Sequence, residues 1–129
     1  MNYSDYCVLS SLHSLKLAAQ LSQGGSHSHG LGIRMVEAER IWRQAQNTNT
    51  QLPIVFSNAE AETMELVYWG ILDSITVSTG RWTNLAYTLV EELSPPQPIS
   101  TLTLKSEGRQ VSDDFRRAYA VCFGPAFIT

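Results

Sequence analysis

Leu66-Val67-Tyr68-Trp69-Gly70-Ile71-Leu72 is the stretch on which the fold turns. Seven residues run without a charge, rich in β-branched and aromatic side chains, and the run is too short for a helix buried all round. It predicts a central strand covered on both faces. Downstream, Ile75 to Val77, the turn chemistry of Ser78-Thr79-Gly80-Arg81, and Trp82 to Val90 with Leu85, Tyr87 and Leu89 alternating predict a hairpin. Pro95, Pro96 and Pro98 are expected to end it. Ile99 to Lys105 is expected to be a further strand, Ser112 to cap a short helix over Asp113 to Arg117, and Tyr119 to Phe127 to pack back as a last strand.

Upstream, Leu52-Pro53-Ile54-Val55-Phe56 is a short apolar run whose proline suits an edge strand or a strand's first residues. Asn58 to Glu65, with three glutamates among small residues, is read as an exposed connection or a short helical turn. Met35, Ala38, Ile41, Trp42 and Ala45 recur at helical spacing, so a helix is expected over Met35 to Gln46, with Glu39 and Arg43 as a favourable i,i+4 pair. Val8, Leu12, Leu15 and Ala19 show 4, 3 and 4 spacing, and with Ser4 or Asp5 as cap they predict an N-terminal helix ended by Gly24 and Gly25. The four glycines between Gly24 and Gly32 mark a loop. Trp69, Ile71, Leu72, Ile54 and Phe56 should then form one core, with Leu12, Leu15, Ile41 or Trp42 packed over it.

The class that follows is α+β: N-terminal helices, then a mainly antiparallel β-sheet or a pseudo-barrel. At 129 residues one domain is expected over 1–129, helical to about residue 50 and β-rich from about 52. Twelve acidic and nine basic residues give a net charge of -3, so no global positive field draws the chain to phosphates. Cationic character is local. Residues 51–98 hold Glu60, Glu62, Glu65, Asp73, Glu91 and Glu92 against Arg81 alone, which leaves the two ends net positive.

Cys7 and Cys122 lie at opposite ends of the chain without a paired spacing, which favours a reducing compartment and leaves one long-range disulfide open. No apolar run is long enough for a membrane helix and the first residues lack a secretory n-region, so a cytoplasmic location without membrane contact is expected. His27 and His29 are the nearest approach to a metal pair, yet a zinc centre needs four ligands and the spacing matches no zinc motif, so no metal or cofactor is expected. Gly30-Leu31-Gly32-Ile33-Arg34, leading into a helix, joins backbone N–H groups to a cation and suits an anion, although neither GxGxxG nor GxxxxGK is present.

The candidate binding residues are therefore Arg34, Arg40 and Arg43 for phosphate contact, with Tyr68, Trp69 and Trp82 as rings on which a base can stack. Core packing is the competing explanation for the three aromatics. No GxSxG or comparable nucleophile signature occurs, and Asp113-Asp114 reads as a capping pair, so no catalytic residue is assigned.

The run Leu52 to Phe56 followed by Leu66 to Ile75 resembles the middle of PUA-like domains, the superfamily that includes the EVE and ASCH domains. There a strand of the form aromatic, aromatic, Gly, apolar, apolar stands beside short helices. The resemblance covers about residues 30 to 125. It implies a pseudo-barrel whose cleft holds a nucleotide or modified base, and hence a non-catalytic domain that binds a nucleotide, or single-stranded or base-extruded nucleic acid. The sequence departs from the family's usual basic surface. The alternatives are a small protein-interaction module, such as an inhibitor or accessory subunit, which the acidic net charge favours, and a small hydrolase of unrecognised type.

Overall fold

The first element, β1, is a strand over Tyr6–Leu12, where the apolar spacing predicts a helix. Residues four apart share a face in both geometries, so Val8 and Leu12 do not discriminate between them. The intervening residues decide. Cys7 and Leu9 enter one buried cluster and Val8 another, the two-faced burial of an interior strand. The computed structural model describes residues 2–12, 23, 25–58, 64–80, 82–112 and 119–128. Leu15 and Ala19 therefore fall outside the described residues, as does the helix expected over Asp113 to Arg117.

The remaining elements are β2 (Ser26–Leu31), α1 (Val36–Asn47), β3 (Pro53–Asn58), β4 (Glu65–Val77), β5 (Thr83–Pro98), a 3-10 turn at Ile99–Thr101 and β6 (Tyr119–Phe123). Six strands form one sheet in the order β2-β5-β4-β3-β1-β6. Neighbours run antiparallel except β1 and β3, which pair in parallel with Val8 opposite Ile54. The glycine-rich segment expected as a loop is thus largely the edge strand β2, whose polar residues are the kind an unpaired sheet edge exposes. Met35, Ala38, Ile41 and Ala45 are buried as their spacing requires, and α1 falls within a residue or so of its expected bounds.

β4 is central, as expected, but longer, and Pro53 stands as the first residue of an interior strand. β5 runs through Pro95 and Pro96 and ends on Pro98. Between the pairs Tyr68–Glu92 and Leu66–Gln97 the strands fall out of step, and Pro95 and Pro96 lie in that irregularity. Among the described residues β2 pairs with β5 only as far as Thr88 and no other strand continues that edge, so a missing N–H in the proline-bearing half costs no ladder bond there. Leu102 and Leu104 are buried as their alternation suggested, but Ile99 to Lys105 is a 3-10 turn followed by isolated bridges at Thr103 and Leu104 rather than a full strand. Leu104 bridges Cys122, which sets this segment beside β6.

Two cores lie on the two faces of the sheet. One holds Cys7, Leu9, Val55, Leu66, Trp69 and Cys122, closed over by Ile99, Leu102, Leu104 and Ile128. The other holds Val8, Ile54, Phe56, Leu72, Leu85 and Tyr87 beneath Met35, Ala38 and Ile41 of α1. The single core expected around Trp69 is therefore divided: Trp69 and Ile71 face one way, Leu72, Ile54 and Phe56 the other. Strict alternation would place Leu66 with Leu72. Irregularities between Leu66 and Tyr68 and between Leu72 and Ser74 each re-aim the strand, so β4 and β5 serve both faces. Gly70 is required at this crossing, since a Cβ there would stand 2.4 Å from the Thr88 carbonyl oxygen.

Candidate functional site

No side chain caps α1 from its own N-cap residue, Met35. The start of the helix is held from across the sheet instead. The Met35 backbone N–H donates to Thr83 Oγ1 at 3.0 Å, and that hydroxyl donates onward to the Ile33 carbonyl at 2.6 Å. A buried hydroxyl that both donates and accepts ties two backbone groups that would otherwise go unpaired. Arg34 lies between the two tethered residues, and Trp82 precedes Thr83 in the chain, so one junction joins the segments that carry a cation and an aromatic residue 48 positions apart in sequence.

Trp82 is 50% exposed, and its orientation is set. Its ring lies against Gly30 so closely that a Cβ on that residue would meet it at 2.5 Å. Its Nε1–H donates to Asn84 Oδ1 at 3.0 Å. With one part of the ring seated on backbone and its polar edge satisfied, the exposed part is a preoriented apolar surface suited to stacking. Arg34 is exposed and, among the described residues, is the cation that makes no ion pair.

Two residues into the helix region, Glu37 pairs with Arg40 on the next turn and with Lys105 at 3.4 Å. The Lys105 ammonium also lies 5.2 Å from the centre of the Tyr6 ring, a cation–π contact. These groups border a cleft of about 250 Å3, walled by Leu104, Ala120 and Val121 and edged by Glu37, Lys105, Ser106 and Tyr119. Burial, and then the negative charge of Glu37, push the Tyr119 hydroxyl above its ordinary range. Farther along α1, Arg43 approaches Glu39 at 3.8 Å, the pair expected from their spacing. Glu39 also accepts from the Val77 N–H at 3.3 Å.

Of the six residues singled out in the sequence, Arg34 and Trp82 stand on the two segments joined at the Thr83 hydroxyl. Arg40 and Arg43 are exposed on α1 with carboxylate partners that offset their charge. Tyr68 is half-buried against the helix-side core, opposite Glu92, its hydroxyl raised by burial and then by that carboxylate. Trp69 is 4% exposed in the other core, edge-on to Tyr3 with ring centres 6.0 Å apart. Its Nε1 is buried without a hydrogen-bond partner, as is Gln51 Oε1. The histidine pair is a strand feature rather than a loop: His27 pairs in register with Tyr87, their ring centres 6.3 Å apart, and His29 with Leu85. Among the described residues no group of three or more His, Cys, Asp or Glu is placed to hold a metal ion.

Sequence reasoning missed Thr83, Lys105 and Tyr119, which carry no local signal, and it read Gly30 as part of an anion-binding backbone rather than as the seat of Trp82, a ring distant in sequence. Comparison with known proteins finds no match among family models, curated proteins or solved structures.

Proposed function

We propose that this chain is a non-catalytic binding domain, PUA-like in character, for a nucleotide or for an unpaired, extruded or modified base of nucleic acid. The observation that carries the proposal is Trp82, half-exposed yet seated on Gly30 and anchored to Asn84, next in the chain to the Thr83 whose hydroxyl ties the segment that bears the exposed Arg34. An aromatic face binds any base by its π surface, and an adjacent guanidinium supplies a phosphate contact. The PUA-like part of the reading rests on the sequence resemblance of Leu66 to Ile75, a stretch that lies within the central strand β4.

Titration against short single-stranded and duplex DNA and RNA, methylated and unmethylated, at two salt concentrations tests it. Affinity is expected to fall as salt rises. Trp82→Ala should weaken binding by about 1–3 kcal/mol with the salt slope intact, whereas Arg34→Gln should flatten the log-log slope by about one unit. No binding at low salt rejects the proposal. The second reading, a protein-interaction module, draws on the exposed apolar side chains Val36, Trp82 and Phe123. It predicts a protein captured from extract by the wild type and lost with Trp82→Ala.

A further inference from the structure

Three elements border the cleft of about 250 Å3. Glu37 stands in the first turn of α1, Tyr119 begins β6, and Lys105 belongs to the segment that runs beside β6. Main-chain bonds fix that side of the cleft: the Lys105 N–H donates to the Val121 carbonyl at 3.0 Å, and the Phe123 N–H to the Thr103 carbonyl at 2.9 Å. The walls formed by Leu104, Ala120 and Val121 are apolar, and the charged groups lie along the edge.

Among the described residues that line the cleft, Glu37 is the carboxylate, and two cations bind it: Arg40 through Oε2, and Lys105 through Oε1 at 3.4 Å. The three charges sum to a net positive edge. Glu107, farther along the Lys105 segment, pairs with Arg109 and leaves that sum unchanged. The Lys105 ammonium is steadied 5.2 Å from the centre of the Tyr6 ring, and of its three N–H donors these two contacts engage at most two. The Tyr119 hydroxyl feels the Glu37 charge, so it stands in the same field. An ammonium and a hydroxyl are thus gathered around a carboxylate that has Arg40 as a second partner. An apolar recess edged in this way complements a molecule that carries a carboxylate on an apolar body.

We propose that this cleft binds a small organic monocarboxylate, an aryl or alkyl acid, whose carboxylate takes Lys105 and Tyr119 in place of Glu37 while its apolar body lies on Leu104, Ala120 and Val121. Size supports that class. An apolar cavity of about 150 Å3 holds a benzene ring, so 250 Å3 leaves room for a ring and its carboxylate. Glu37 is then an internal competitor, which fills the anion position in the free protein and turns to Arg40 when the ligand enters. Inorganic phosphate, strongly hydrated and without an apolar part, would leave the walls uncovered. The site is separate from the base-binding reading, and neither depends on the other.

Titration of the full chain with phenylacetate and with hexanoate, followed in 1H–15N correlation spectra, tests the site, with 2-phenylethanol as the uncharged counterpart. The amide resonances of Lys105, Ala120 and Val121 should move and saturate with at least one of the two acids. The alcohol should bind roughly tenfold more weakly than phenylacetate, the loss of one charge-assisted contact. Lys105→Met, which keeps the apolar stem, should weaken binding by about the same factor, and Lys105→Arg, which keeps the charge, should largely restore it. Tyr119→Phe should weaken it less. Glu37→Gln should act in the opposite direction and tighten binding severalfold, because it removes the competitor; a Glu37 that only props the cleft open would weaken binding when replaced. Urea denaturation of each variant confirms that it folds. Amides that neither acid moves, an alcohol that binds as tightly as phenylacetate, or a folded Glu37→Gln variant that binds no better than wild type overturns the proposal.

Discussion

The two faces of the sheet solve the problem of burial differently. Among the described residues the helix-side core is covered by one regular element, α1, whose position is set by the Thr83 junction, by the Glu37–Lys105 ion pair and by the Val77 N–H that donates to Glu39. The opposite core is covered by irregular chain: the 3-10 turn, the bridges at Thr103 and Leu104, and the tail ending in Phe127 and Ile128. The regular cover gathers charged groups at its N-terminal end and leaves a cleft there. The irregular cover encloses both thiols and the unpaired indole. Cys7 and Cys122 stand opposite each other in the β1–β6 register, both buried and free. Regular cover brings polar groups into paired arrangements; irregular cover excludes water yet leaves two polar atoms unpaired.

The sharpest way to break this comparison is to empty each core in turn. Trp69→Ala on one face and Phe56→Ala on the other should each cost about 3–5 kcal/mol in urea denaturation. If the cores are independent, the double variant should lose the sum to within about 0.5 kcal/mol. Coupling well above that would mean that β4 transmits strain between its faces, as a strand that serves both could. The Thr83 junction comes next. Thr83→Val keeps the shape but strands the Met35 N–H and the Ile33 carbonyl, for an expected loss of about 1–3 kcal/mol. Amide exchange should speed up at the start of α1 and hardly at all in β1.

Alkali probes both faces at once. Burial raises the Tyr87 hydroxyl from 10.0 to about 12 on the helix side and the Cys122 thiol from 9.0 to about 12 on the other. Cys7 is raised as well, by burial first and then by Cys122. A group whose folded pKa lies above its unfolded one stabilises the fold fully below the unfolded value. That contribution is lost as pH climbs through the window between the two, about pH 10 to 12 for Tyr87 and 9 to 12 for Cys122. Stability should therefore fall above about pH 9. Tyr87→Phe should flatten the upper part of the decline, and Cys122→Ala should flatten it from its onset. The smallest effect is expected at Glu37: its partners Arg40 and Lys105 are partly solvated, so Glu37→Gln should cost about 0–1 kcal/mol, and less at high salt.

The elements legible in the sequence are those whose pattern has one geometric reading. Met35, Ala38, Ile41 and Ala45 recur at a spacing that only a helix places on one face, and all four are buried. Leu66 to Leu72 is too short for a buried helix and became the central strand. Where a pattern has two readings, tertiary pairing decided. Val8 and Leu12 suit helix and strand alike, and β1 is a strand because β3 and β6 bond to it from both sides. Ser26 to Leu31 looks like a loop because an edge strand may expose polar residues; β5 supplies the pairing that makes it a strand.

The candidate site divides along the same line. The sequence by itself determined the chemical inventory: an exposed cation next to a helix start, three tryptophans, an acidic middle between more basic ends, and α+β character with a mainly antiparallel sheet. Which tryptophan is a surface and which is core, that Arg34 and Trp82 share one junction, and that Glu37 meets Lys105 were decided only by tertiary structure. Hydrophobic period and propensity act over a few residues, whereas these contacts join segments 48 and 68 positions apart. The irregularities in β4 and β5 that re-aim side chains between the two faces are marked in the sequence only by Gly70 and by Pro95 and Pro96, which do not tell which face each neighbour takes.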